Sequence, residues 1–308
     1  MLRRFKISDG KLVESDEANG QVMVYVSPEE SERKDLIERF KLDEHTLSSS
    51  LDPDELSRLE FEPEHAAMIF KRPRNYSSAD EFLFKVASTG MFLFKDRLIV
   101  VQAEDAPLFD GRQFTRVNSL QEVILKQIYR SIFHYEEHLK VINMISGQLE
   151  HKISTAMENK HLLNLFTLEK SLVYYVNAIN SNAMLIEKLR NSASKLGFTP
   201  ENLEFLDDIL IENNQCREQA NVYSQVLSGL MDARVSIVSN NLNLLMKTLT
   251  LVMIGIMLPQ FVVSIFSMNV TLPFHAQGEG GTLHFWIIMA MTAASIASVF
   301  LVWRYKKW

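Results

Sequence analysis

A stripe of polar and methionine side chains runs through a charge-poor segment near the C-terminus. Alternating steps of three and four residues, which keep side chains on one helix face, select Asn243, Met246, Thr250, Met253, Met257, Gln260, Ser264 and Ser267. Polar groups that meet lipid are costly, so this face is expected to line a bundle interior or a wet pathway. The intervening methionines are apolar and flexible, which suits a constriction that opens and closes by wetting.

Uncharged amide and hydroxyl oxygens suit a strongly hydrated cation. Magnesium gives up its water reluctantly, so neutral oxygens can hold the hydrated ion through its waters. The same side chains could instead serve only as hydrogen-bonding partners for neighbouring helices. Composition alone therefore leaves an ion path and dry packing as alternatives.

Two segments that can cross a bilayer position this stripe. No Asp, Glu, Lys or Arg occurs from Thr248 to Gly278 or from Thr282 to Trp303, and about 20 apolar residues span the hydrocarbon core. The connection between the two segments has no Lys or Arg. The basic residues that flank the pair are Lys247, Arg304, Lys306 and Lys307. The positive-inside rule then predicts that both termini are cytoplasmic.

The remainder of the chain is acidic and polar. Residues 1–247 contain 37 of the 38 acidic and 29 of the 32 basic side chains, a net charge of -8, against -6 for all 308 residues. The start Met1–Phe5 leads into polar sequence, so no cleavable signal is expected. The single Cys216 excludes an intrachain disulfide and is expected to pack in a stalk helix.

The first 118 residues predict a small α/β domain with a mixed sheet. Expected strands are Val22–Val26, Ala66–Lys71, Phe82–Ala87, Met91–Phe94 and Leu98–Gln102, with tight turns at Gly90 and at residues 95–97. Ser27-Pro28-Glu29-Glu30 predicts the start of a helix that runs through Phe40, with Ser27 as its cap.

Nearly continuous helix is predicted from Ser119 onward. One helix starts at the capping box Ser119–Glu122 and runs toward Met157, a second covers His161–Ser194, and a third starts at Thr199-Pro200. The third would exceed ~60 residues and needs partners along its length, most simply copies of itself in a ring. The expected divisions are 1–118 (α/β domain), 119–198 (long helices), 199–247 (stalk), 248–267 (first transmembrane helix), 268–283 (external loop), 284–303 (second transmembrane helix) and 304–308 (basic tail).

Ser267-Met268-Asn269 closes the first apolar segment, and here the sequence resembles the CorA family of divalent-cation channels, whose hallmark is Gly-Met-Asn. The resemblance extends over Ser228–Asp232, Val238–Asn240, Asn243, Met246-Lys247, Leu249-Thr250, Met257 and Pro259. It implies an α+β membrane protein with a cytoplasmic N-terminal α/β domain, long stalk helices and two C-terminal transmembrane helices. It also implies a funnel-shaped homopentamer with the first span lining the pore.

The resemblance further implies roles for individual residues. Ser267, Met268 and Asn269 would form the selectivity filter. The pore and its gate would be lined by Asn243, Met246, Leu249, Thr250, Met253, Met257, Gln260 and Ser264, and the basic collar would comprise Lys247, Arg304, Lys306 and Lys307. Asp208 and Asp232 would bind regulatory magnesium at subunit interfaces.

Three departures from the family pattern affect these roles. Ser267 replaces the motif's glycine and adds a side chain at the filter. The family's Leu-Glu-Asp run aligns with Leu47-Ser48-Ser49, which leaves Asp208 without its usual acidic partner unless Asp52 or Asp54 replaces it. In place of an acidic Met-Pro-Glu-Leu loop, the connection offers only Glu279, with His275 and His284, so weaker cation attraction is expected.

Other candidate metal sites are less specific. His134 and His138 lie one helical turn apart, a spacing that can bind zinc, but a third ligand is missing and a solvated helix face is favoured. His275 and His284 could favour zinc, nickel or cobalt, although interfacial residues are the preferred interpretation. The acidic residues at 52, 54, 55, 60, 62 and 64 are expected to form a solvated surface.

The sequence therefore predicts a homopentameric inner-membrane channel for divalent cations, with passive magnesium uptake as the expected activity. Its partners would be copies of itself, the lipid bilayer and divalent metal ions. Neither an organic cofactor nor a nucleic-acid partner is expected. A zinc, nickel or cobalt transporter, with possible proton coupling, is the alternative in the same architecture. A membrane-anchored enzyme and a structural or sensory oligomer are the alternatives from other classes, and no catalytic residues are expected.

Overall fold

A computed structural model describes residues 1–15, 20–77, 80–109, 112–155, 159–268 and 281–305. The chain separates into two compact units, Met1–Met231 and Asp232–Trp308. The expected α+β fold class, with an N-terminal α/β domain, long helices and two C-terminal apolar helices, is confirmed.

A seven-stranded mixed sheet organises the first unit. The strands are β1 (Leu2–Ser8), β2 (Lys11–Glu14), β3 (Val22–Val26), β4 (Arg58–Phe61), β5 (His65–Pro73), β6 (Val86–Phe94) and β7 (Leu98–Gln102). They are ordered β2-β1-β3-β7-β6-β5-β4. Only β3 and β7 pair in parallel, with Val22 opposite Leu98, and the other neighbouring pairs are antiparallel.

The described residues form seven α-helices. They are α1 (Glu30–Glu38), α2 (Glu44–Ser49), α3 (Leu120–Thr155), α4 (Asn159–Asn191), α5 (Ala193–Leu196), α6 (Pro200–Phe266) and α7 (Gly281–Tyr305), and a 3₁₀ turn covers Arg112–Thr115. Local sequence fixes the starts of the long helices. Ser119 Oγ accepts from the N–H of Glu122 at 3.2 Å, and Thr199 Oγ1 accepts from the N–H of Asn202 at 3.2 Å, so each satisfies an otherwise unpaired donor of the first turn.

Both faces of the sheet are covered, as the strand side chains show. On β3, Val22 and Val24 belong to the core shared with the long helices, whereas Met23 and Tyr25 belong to a second core with α1 and α2. This alternation follows from the two-residue period of a strand. Because both faces are buried, all five β3 residues are buried, and the strand sequence is a continuous apolar run.

A buried amide joins α4 to the end of β5. Asn182 Oδ1 accepts from the backbone N–H of Lys71, and its Nδ2 donates to the Lys71 carbonyl, both at 2.8 Å. The pairing of β4 with β5 stops at Ile69, so Lys71 lacks a strand partner on that side. Asn182 supplies a partner for both the N–H and the carbonyl of Lys71, and these two hydrogen bonds fix the position of α4 against the sheet.

Several local predictions are wrong. Residues 82–87 and 91–94 were expected as separate strands around a turn at Gly90, but β6 is one strand in which Gly90 pairs with both Ile69 and Val101. A Cβ at Gly90 would lie 2.4 Å from Ser50 Cβ, so this glycine permits a close approach of α2's end. At α1 the cap is Glu29, not Ser27, and the helix ends at Glu38 before Phe40.

The second unit contains the part of α6 from Asp232 onward and α7. The 67-residue α6 and the segment Phe285–Tyr305 are both long and apolar enough to cross a membrane. Their apolar windows are entirely unburied in the single chain. Pro259 lies inside α6 and lacks an N–H, so the carbonyl of Gly255 loses its usual helical donor and the helix has a local site for bending.

Candidate ion pathway

The predicted stripe lies on α6 and at its C-terminal end, and every member of it is exposed in the single chain. Met246 and Met257 are each 66% exposed. The large apolar residues on other faces are equally uncovered, with Leu245 at 65% and Phe261 at 64% exposure. This chain alone covers neither face, so lipid, other helices or both must cover the segment.

Two hydroxyl groups of the stripe bond within their own helix. Thr250 Oγ1 donates to the Met246 carbonyl at 2.8 Å, and Ser267 Oγ donates to the Ser264 carbonyl at 2.9 Å. A hydroxyl has one hydrogen, so its remaining capacity is as an acceptor. The waters of a hydrated cation point their hydrogens outward, and these acceptors have the polarity needed to receive them.

The helix ends where the filter motif begins. After Phe266, the N–H of Ser267 donates to the Val263 carbonyl at 3.1 Å, and Met268 is 57% exposed. Asn269, the third filter residue, lies outside the described residues, as do His275 and Glu279 of the connection. Of the expected basic collar, Lys247 and Arg304 are exposed, and Lys306 and Lys307 are likewise outside the described part of the chain.

The expected regulatory acids are both exposed. Asp208 belongs to the first unit and Asp232 to the second. Leu47-Ser48-Ser49 lies in α2, where Ser49 Oγ donates to Glu55 at 3.1 Å. Within the described ranges no three His, Cys, Asp or Glu side chains form a group that could hold a metal ion. An intersubunit site for Asp208 and Asp232 remains a prediction.

The histidine pair in α3 is not on a solvated face, which corrects the sequence-based expectation. His138 is only 8% exposed, with its Nδ1 2.5 Å from the Tyr175 hydroxyl of α4. The His134 and His138 rings lie 4.4 Å apart. Burial lowers the pKa of both imidazoles to about 4, so both are neutral near pH 7. The packing of α3 on α4, which spacing along one helix does not reveal, explains the difference.

Cys216 and the acidic residues of the first unit follow the predictions. Cys216 is fully buried in α6, and burial raises the pKa of its thiol to about 12. Arg58 Nε lies 2.8 Å from Glu60 Oε1 and the same guanidinium also pairs with Glu55. The other acids at 52, 54, 62 and 64 are exposed, as expected for a solvated surface.

Comparisons with known proteins identify the family. The sequence model described as "CorA-like Mg2+ transporter protein" matches residues 23–307. The cobalt/magnesium transport protein CorA of Methanocaldococcus jannaschii is 23% identical over 295 residues, which cover 91% of this chain and 89% of that protein.

Two solved structures share the fold. The complete CorA magnesium transporter from Methanocaldococcus jannaschii aligns with a TM-score of 0.83 at 19% identity, over 99% of this chain and 97% of that chain. The cytoplasmic domain of ZntB from Vibrio parahaemolyticus aligns with a TM-score of 0.61 at 13% identity, over 77% of this chain and 98% of that chain. The alternative of a membrane-anchored enzyme is not supported, because the matched family is one of transporters. From the family match over nearly the whole sequence, the chain belongs to the CorA-like Mg2+ transporter family.

Proposed function

We propose that this protein is a homopentameric channel that conducts Mg²⁺ into the cytoplasm. The observation that carries the proposal is the uncharged stripe of α6 from Asn243 to Ser267, which is exposed along its length and in which Thr250 and Ser267 donate their hydroxyl hydrogens to backbone carbonyls and keep acceptor lone pairs. Five copies of α6 around an axis would place these oxygens on a shared path. The methionines at 246, 253 and 257, with Leu249, would form the hydrophobic gate between them.

The pentamer is supported by the exposure of α6. From Asp232 to Phe266 no side chain is buried in the single chain, although most are apolar. A ring buries one face against copies and leaves the other to lipid, which accounts for both surfaces. The filter in this arrangement would be Ser267, Met268 and Asn269, and the collar would be Lys247, Arg304, Lys306 and Lys307.

The membrane potential suffices as the driving force. A charge that crosses a potential of 100 mV changes in energy by about 2.3 kcal/mol, and a divalent ion by about twice that. We place the channel in the inner membrane, and the basic residues that flank the two spans support a cytoplasmic position for both termini. Passive uptake then needs neither a nucleotide nor an organic cofactor.

Zinc is the alternative cargo. It is favoured by the connection at 270–284, which has one acidic residue and two histidines. Histidine and weakly acidic surroundings suit zinc, nickel or cobalt better than magnesium. The cytoplasmic domain of ZntB from Vibrio parahaemolyticus has a similar fold, which is compatible with either cargo.

Flux into proteoliposomes tests the cargo and its energy source. Mg²⁺, Co²⁺, Ni²⁺ and Zn²⁺ would each be followed with a trapped fluorescent indicator, with and without a pH gradient, at a fixed membrane potential. We expect Mg²⁺ influx that scales with the potential and does not change with the pH gradient. Zn²⁺ influx that needs the pH gradient, with no Mg²⁺ influx, would replace magnesium by proton-coupled zinc transport.

A further inference from the structure

A small polar cavity in the first unit lies against the end of β5, the segment after β7 and α3. Its volume is about 90 Å³, enough for several water molecules. The side chains of the lining that can carry charge or hydrogen-bond are Arg72, Asn75, Gln127, Arg130, Ser131, His134 and Glu137. The cavity is separate from the α6 stripe, and the proposal below does not rest on the transport function.

Arg72 makes this cavity unusual because its guanidinium group is buried without an ion pair among the described residues. The residue is 5% exposed. Its Nε donates to Thr89 Oγ1 at 3.2 Å and its Nη1 to the Pro73 carbonyl at 3.3 Å, both neutral acceptors. Its Nη2 has no hydrogen-bond partner among the described residues, and Glu104, the carboxylate that acts on Arg72 through space, is itself paired with Arg74. A buried charge left without compensation costs several kcal/mol, so a missing anion is the natural counterpart.

The surroundings are electropositive and offer both donors and an acceptor. Arg72 and Arg130 line the cavity, and their charges add to burial in lowering the pKa of His134 to about 4. Glu137 is the one described acid of the lining, and it is exposed. Gln127 is 4% exposed, and its Oε1 lacks a donor in the part of the chain that the structure describes. A ligand that both accepts and donates would satisfy the site.

We propose that this cavity binds one hydrogen phosphate ion. Its oxygens would accept from Arg72 Nη2, Arg130 would add positive charge to the same wall of the cavity, and its P–OH group would donate to Gln127 Oε1. Arginine guanidinium groups match phosphate in geometry as well as charge. A bound anion at this place would tie β5 to α3 and stabilise the first unit.

Thermal unfolding of the full-length protein in detergent tests the proposal. The protein would be compared in potassium phosphate and in potassium gluconate at equal ionic strength and pH 7, without divalent ions. At about 100 times the dissociation constant we expect phosphate to raise the unfolding temperature by ~5 °C. Arg72→Met should lose this rise. Arg74→Met is the matched control and should keep it, because Arg74 pairs with Glu104 at 2.7 Å and does not line the cavity.

Three outcomes would overturn the proposal. An equal rise in the wild type and Arg72→Met would indicate a general salt effect. An equal rise with sulfate, which has no hydroxyl at pH 7, or with chloride would exclude hydrogen phosphate as the specific ligand. Should Arg72→Met fail to fold, Arg130→Gln replaces it in isothermal titration with inorganic phosphate: weakened binding supports the site, and binding of wild-type strength contradicts it.

Discussion

At the scale of single residues, the environment of each polar group decides its chemistry more than its type does. The hydroxyl groups of Thr250 and Ser267 donate their hydrogens to backbone carbonyls, so each can act toward other groups only as an acceptor. Likewise, two histidines with zinc-like spacing are neutral near pH 7, because His138 is buried against Tyr175 and His134 is half-buried beside it. The side-chain types were visible in the sequence, whereas these partners come from helix geometry and from a second helix.

The buried imidazole of His138 predicts a loss of stability in mild acid. Its folded-state pKa of about 4 lies below the ordinary value of 6.5, so between these values the unfolded state binds more protons. Stability should therefore fall as the pH drops from about 6.5 to about 4, by roughly 3 kcal/mol for a fully buried imidazole with this shift. Thermal unfolding across this range in phosphate-free buffer measures the loss.

Two variants separate His138 from other titrating groups. His138→Gln keeps a hydrogen-bonding group for Tyr175 but cannot be protonated, so its stability should depend less on pH than the wild type's. His45→Gln changes an exposed histidine outside this core and serves as the control. Equal pH dependence in His138→Gln and the wild type would contradict the assignment.

The acidic stalk residues predict magnesium feedback. If Asp232 contributes to a divalent site between subunits, millimolar Mg²⁺ should protect the wild type from trypsin more than it protects Asp232→Ala. Glu218→Ala is a suitable control, since Glu218 is an exposed acid of α6 that pairs with Arg217. Equal protection of Asp232→Ala and the wild type would remove Asp232 from the regulation.

At the scale of elements, patterns that depend on local sequence were predictable and contacts between distant segments were not. The apolar runs of β3 and β7 and the starts of α3 and α6 follow from the sequence. β1 was missed because it lies near the sheet's edge and carries polar residues such as Arg3 and Lys6. A glycine at position 90 suggested a turn, but Gly90 lies within a strand, where its lack of a side chain allows Ser50 to pack closely.

The close contact at Gly90 predicts that alanine lowers stability at this position but not at Gly147. Gly90→Ala should destabilise the first unit by about 1–3 kcal/mol, because the new Cβ would meet Ser50 Cβ and the Phe92 ring. The double variant Gly90→Ala, Ser50→Gly should regain part of the loss. Gly147→Ala has open space and a helical position, so it should be neutral or stabilising by up to about 1 kcal/mol. Denaturant unfolding measures all three, and an unaffected Gly90→Ala variant would contradict the packing described for β6.

At the scale of the whole molecule, the chain combines an α/β unit that buries its own core with two apolar helices whose membrane-length windows have no buried residues in the single chain. The sequence indicated this division through its charge distribution, since all but four of its charged side chains precede Thr248. The ion path could be proposed only as a face of one helix, because one chain supplies only one wall of a pore that several copies would form. A test of the pore must therefore use the assembled protein.

Magnesium uptake by the Asn269→Ala variant in proteoliposomes tests the proposed pore most directly. Thr248→Val is the control, since Thr248 lies off the stripe and its hydroxyl bonds to the Leu244 carbonyl. With equal amounts of reconstituted oligomer and a fixed potential, Asn269→Ala is expected to lose most Mg²⁺ influx, and Thr248→Val is expected to retain it. Wild-type influx through Asn269→Ala would contradict the assignment of this stripe and its filter as the ion path.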